Sequence, residues 1–142
     1  MLEFIYMKRI DLRLDDDSTP TVINYNVEEM RNQLVNPNEV VINDEKIQIL
    51  FSYPLTNKVM FTYEKKGGFT RMDLFRLIYE GYKKIYNEED SEVGDPGIYD
   101  MLYNRKKSDG KYGIWGHYIG DLWIEILYYD PSTRILKMAI GS

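Results

Sequence analysis

The stretch GGFTRMDLFRLIYEGYKKIYN, residues 67–87, decides the fold, because it is the clearest helical signal in the chain. Thr70 stands as N-cap with Asp73 three residues on, an acidic variant of the capping box that also suits the positive end of the helix dipole. The spacing predicts a helix from Thr70 to about Asn87. Leu74, Leu77, Ile78, Gly81 and Ile85 form one stripe, and Phe75, Tyr79, Tyr82 and Tyr86 form an adjacent one. A face this wide touches two things: a sheet under the aliphatic stripe and a flanking loop under the aromatic one. The competing reading makes the aromatic stripe a ligand or partner surface.

On the N-terminal side, Ile47, Ile49, Phe51 and Tyr53 alternate with polar residues, as do Val59, Phe61 and Tyr63, and the turn Pro54-Leu55-Thr56-Asn57 joins the two runs into a hairpin. Further out, Ile10, Leu12 and Leu14 alternate up to the acidic turn Asp15–Pro20. Asn26 and Glu29 give a weak cap to a short helix with Val27, Met30 and Leu34 on one face, stopped before Pro37. On the C-terminal side, Leu122 to Tyr129 and Arg134 to Ile140 flank the turn Asp130-Pro131-Ser132-Thr133, which makes a second hairpin. Its first strand carries large apolar groups on both faces and belongs inside the sheet. Hairpins on either side of one main helix predict a single α+β domain over residues 1–142: an antiparallel sheet with the helix packed on one face. Residues 1–45 hold the N-terminal strand and short helix, and residues 46–142 hold the core.

Composition narrows the function classes. With 142 residues, 44% hydrophobic, the chain can fold around one core. The absence of cysteine removes disulfides, thiolate metal sites and a cysteine nucleophile. The apolar start Met1–Ile10 lacks the features of a secretory signal, and no run approaches the roughly 18 apolar residues of a membrane span. A cytoplasmic or nuclear protein without a membrane partner is the simplest expectation. The net charge of −5 disfavours nucleic acid, since Lys65-Lys66, Lys83-Lys84 and Arg105-Lys106-Lys107 are short basic clusters that read as solvated surface. One alanine against fifteen isoleucines, thirteen tyrosines, eleven lysines and nine asparagines points to an A+T-rich genome, such as that of a protist or a large DNA virus. The acidic run Glu88 to Asp95 fails the spacing of a calcium loop and reads as a solvated helix end and linker.

Six of the ten glycines lie between Gly94 and Gly120, four of them within GKYGIWGHYIGDL, residues 110–122, around the only histidine. Glycine serves where φ is positive or where something approaches the backbone closely. Asp109-Gly110 is a tight-turn signal that would fold Lys111 onward back against Met101–Lys106. The phosphate-loop and dinucleotide tests both fail. The pattern Asn104-Arg105, Asp109-Gly110, Tyr112-Gly113-Ile114-Trp115-Gly116-His117, Ile119 and Asp121-Leu122 resembles the signature of an uncharacterised family found in plants, protists and large DNA viruses. The likeness extends back through the Thr70 helix and implies a shared fold, with no activity to carry over. Where that family has an acidic residue after the histidine, this chain has Tyr118.

His117 is the one side chain that exchanges protons near neutral pH without special surroundings, and Asp121 is close enough in sequence to orient it. Together they are half of a general-base constellation for a small hydrolase or transferase, with Ser108 the nearest hydroxyl and no nucleophile elbow around it. The plainer reading makes His117 a structural pin and Trp115 a core anchor. No spacing defines a metal site, and no cofactor is implied. The leading expectation is a non-enzymatic interaction or scaffold module whose segment 104–123, with Arg105, Tyr112, Trp115, Tyr118 and Trp123, meets a protein or peptide.

Overall fold

The computed structural model describes residues 7–22, 27–101 and 104–142, so the proposed cap at Asn26 and the start of the chain through Tyr6 lie outside the described residues. In chain order the elements are β1 (Lys8–Ile10), α1 (Val27–Gln33), β2 (Val40–Ile42), β3 (Lys46–Phe51), β4 (Val59–Glu64), β5 (Phe69–Thr70), α2 (Arg71–Val93), a 3-10 turn (Ile119–Asp121), β6 (Trp123–Asp130) and β7 (Ile135–Gly141). Five strands form one sheet in the order β1-β6-β7-β3-β4, and β2 and β5 form a small ribbon beside it.

Both hairpins form where alternation places them: Ile47, Ile49 and Phe51 pair with Tyr63, Phe61 and Val59, and β6 lies inside the sheet between β1 and β7. The sheet is mixed where an all-antiparallel one is expected. β3 and β7 run parallel, with Gln48 opposite Ile135 and Ile49 opposite Leu136, and this junction joins the two hairpins. The bulge between Ile124 and Ile126 lets β6 bury Ile124, Ile126, Leu127 and Tyr129, which strict alternation could not do.

The single long helix covers one face of the sheet. Its capping box is complete: the Thr70 hydroxyl accepts from the Asp73 N–H at 3.1 Å, and the Asp73 carboxylate accepts from the Thr70 N–H at 2.9 Å. Leu74, Phe75, Ile78, Tyr82 and Ile85 share one core with Ile47, Ile49, Phe51, Leu127 and Leu136. Gly81 permits the close approach to β3, since a Cβ there would stand 2.2 Å from the Phe51 ring. Of the aromatic stripe, Phe75 packs in the sheet core, and the C-terminal part reaches loops. Tyr82 donates its hydroxyl to the Tyr53 carbonyl in the β3–β4 turn, and Tyr86 donates to the His117 carbonyl. No helix among the described residues is long and apolar enough to cross a membrane.

The acidic run is not a linker. The helix continues to Val93, six residues beyond the expected end at Asn87, and Glu89 is fully buried in it. The reason lies in the segment that packs on its last turns.

Candidate site around the glycine and aromatic segment

Residues 104–121 have little regular backbone structure, so their N–H and C=O groups need partners from elsewhere. One set comes from α2. The Glu89 carboxylate accepts from the Ser108 hydroxyl at 2.6 Å and from the backbone N–H groups of Gly110 at 3.0 Å, Tyr112 at 2.9 Å and Ile114 at 3.4 Å. Burial alone would raise the pKa of this carboxyl. The four donors outweigh it and hold Glu89 below the ordinary glutamate value, so it is ionised in the fold. Gly110 is required at this point, because a Cβ there would come within 2.5 Å of the Glu89 carboxylate.

A second set comes from the β3–β4 turn. The Thr56 N–H and hydroxyl both donate to the Gly113 carbonyl, Asn57 donates to the Tyr112 carbonyl, and the Trp115 N–H donates to the Pro54 carbonyl. Residues 112–115 thus run as an added edge along that turn. The chain then doubles back, as the Asp109-Gly110 turn signal implies, so that Gly116 bridges Arg105.

Arg105, expected on the surface, is 1% exposed. Its guanidinium donates to Asp90 at 2.8 Å and to Ser108 at 3.2 Å, and lies 5.3 Å and 5.7 Å from the ring centres of Tyr86 and Tyr118. Tyr112 is likewise buried, its hydroxyl donating to Glu88. Both are covered rather than presented on the surface, and both hold the segment on α2. Asp90, Ser108 and two tyrosine rings replace much of the water that Arg105 loses, while its Nε has no hydrogen-bond partner among the described residues.

What this scaffold holds outward is aromatic. Trp115 is 41% exposed, so it is no core anchor. Its ring meets Tyr53 edge-on at 5.2 Å, and His117 lies 5.8 Å from Tyr53 and 6.2 Å from Trp115. His117 Nε2 is 3.1 Å from the Ser142 hydroxyl, which also bonds the Tyr53 hydroxyl at 2.7 Å. Beside them a shallow open groove is lined by Thr21, Asn104, His117, Gly120, Asp121, Trp123 and Ser142.

His117, Asp121 and Trp123 therefore share one groove, with Trp115 next to it and Tyr118 half-buried over Arg105. The expected bond between His117 and Asp121 is not among the described contacts. The Asp121 carboxylate instead accepts from the Tyr118 N–H at 3.0 Å and caps the 3-10 turn. Tyr53 and Ser142 enter the site without local signal, since each arrives by strand pairing at long range. Glu89 did carry a signal: it lies four residues beyond Ile85 on the buried stripe of the helix.

No family model matches the chain, and neither the curated proteins nor the solved structures contain a match to it.

Proposed function

We propose that this protein is an interaction module that meets a protein or peptide of the cytoplasm or nucleus through the aromatic patch of Trp115, Tyr53 and His117 and the adjoining groove with Trp123. One observation carries the reading. Segment 104–117 is fastened at Glu89, Arg105 and the β3–β4 turn, and yet its largest ring, Trp115, is held out to solvent on that rigid support. Aromatic anchors on pre-ordered scaffolds give much apolar area for little lost freedom, the usual make-up of an interface centre. Among the described residues, the groove lining contains no Lys or Arg and one acidic side chain, Asp121, which speaks against nucleic acid as the occupant.

The test is affinity capture with wild type, Trp115→Ala and, as a control on another face, Tyr128→Ala. A protein retained by wild type and Tyr128→Ala and lost with Trp115→Ala, at unchanged thermal stability, supports the module. Equal retention by all three removes the patch from the function.

A second reading, a small hydrolase or transferase with His117 as general base, draws on the Ser142 hydroxyl within reach of Nε2. Among the described residues no carboxylate bonds the His117 ring, and Asp121 caps Tyr118 instead. An NMR pH titration of His117 in wild type and Asp121→Asn separates the two. An unmoved titration midpoint favours the module; a midpoint that moves with Asp121 favours the base.

A further inference from the structure

We infer that β4 is a self-pairing edge through which two copies of this chain join into one continuous ten-stranded sheet. The sheet has two edges, and they differ. At one, β1 is three residues long and carries exposed Lys8 and Arg9, the short and charged form that discourages pairing. At the other, β4 is six residues long and has one charge, Glu64, at its end.

The pairing with β3 fixes which groups are free. The Lys65 N–H donates to the Glu45 carbonyl, so the odd-numbered residues of β4 face β3 and Met60, Thr62 and Glu64 direct their N–H and C=O outward. Among the described residues no backbone or side-chain group bonds these outward amides and carbonyls. The core also runs out here. Ile47, Ile49 and Phe51 of β3 are fully covered, whereas their partners Tyr63, Phe61 and Val59 are only half-buried. Phe61 packs on Phe51 at 5.3 Å, with the Lys84 ammonium over it at 4.8 Å.

A second copy fits both deficits. In a two-fold antiparallel pairing centred on Phe61, Met60 opposes Thr62 of the other copy through the outward groups. Val59 opposes Tyr63 and Phe61 opposes itself on the helix side, which extends the core across the axis. Lys58 then opposes Glu64 twice, once on each side of the axis. Shifting the centre to Thr62 sets Met60 against Glu64 and loses both charge pairs, so charge selects the first register. Among the described residues, the ion pair of Glu64 is an exposed contact with Lys46 at 3.8 Å, and Lys58 has none.

The test is sedimentation over a concentration series for wild type, Lys58→Glu, Glu64→Lys and the double exchange. Wild type is expected to reach twice the 16.9 kDa chain mass. Each single variant places like charges opposite one another twice and weakens dimerisation by roughly tenfold or more, and the double exchange restores it. A wild type that stays monomeric at the highest concentration, single variants that dimerise as wild type does, or a double exchange that fails to recover would each overturn the proposal. Monomeric wild type would leave the edge to a strand of a different protein. Because both positions are exposed charges, circular dichroism of each variant is expected to match wild type, so loss of fold does not mimic loss of pairing.

Discussion

A single carboxylate, Glu89, supplies one of the two sets of partners that fasten the glycine and aromatic segment, the other coming from the β3–β4 turn. With four donors converging on it, Glu89→Gln keeps the shape but removes the charge and leaves part of the donor set poorly matched, at a cost of about 1–3 kcal/mol near neutral pH. The folded pKa lies below the ordinary value of 4.5, so the stability contributed by ionisation is fully present above that value and is lost as pH falls through the folded pKa. Urea unfolding of wild type and Glu89→Gln is therefore expected to differ most near neutrality and to converge in acid. A gap that does not change with pH would mean that Glu89 carries no charge in the fold. The same scale explains what the sequence could and could not disclose. Glu89 was within reach, because it extends the buried helical stripe, but five acidic residues in the run Glu88–Asp95 favour the reading of a solvated end. Arg105 was not, because its burial depends on Asp90 and two tyrosine rings brought together only by the fold.

Among the elements, the helix and both hairpins were legible because each is encoded within a few residues: a capping box at Thr70 and Asp73, alternation through Ile47–Phe51, and a turn at Asp130–Thr133. The segment 108–116 was legible only as an anomaly of composition, since its partners come from a helix about twenty residues earlier and a turn about sixty residues earlier. Its amides are nonetheless bonded on both sides. Hydrogen exchange at Tyr112 and Ile114 is expected to be as slow as in the middle of α2, although neither residue belongs to a helix or a regular strand. Exchange at the rate of an open loop would show that the fastening at Glu89 and the β3–β4 turn does not persist in solution. That result would also remove the rigid support under Trp115.

For the molecule as a whole, the α+β class follows from the order of elements, but the mixed character of the sheet does not. The junction of β3 and β7 rests on the pairs Gln48 with Ile135 and Ile49 with Leu136 and on the Gln48 N–H bonded to the Arg134 carbonyl, and no local pattern announces a contact across almost ninety residues. The position of β7 between β6 and β3 also sets a timetable for biosynthesis. The β3–β4 hairpin is complete at Glu64, yet the strand that joins it to the rest of the sheet ends at Gly141, 77 residues later. At 5–20 residues per second, the nascent hairpin waits roughly 4–15 s with both of its long edges unpaired. On a crowded polysome, neighbouring nascent chains expose the same edges at the same time. The chain is thus at greatest risk of joining the wrong partner before it leaves the ribosome, and chaperone demand should fall on residues 46–64.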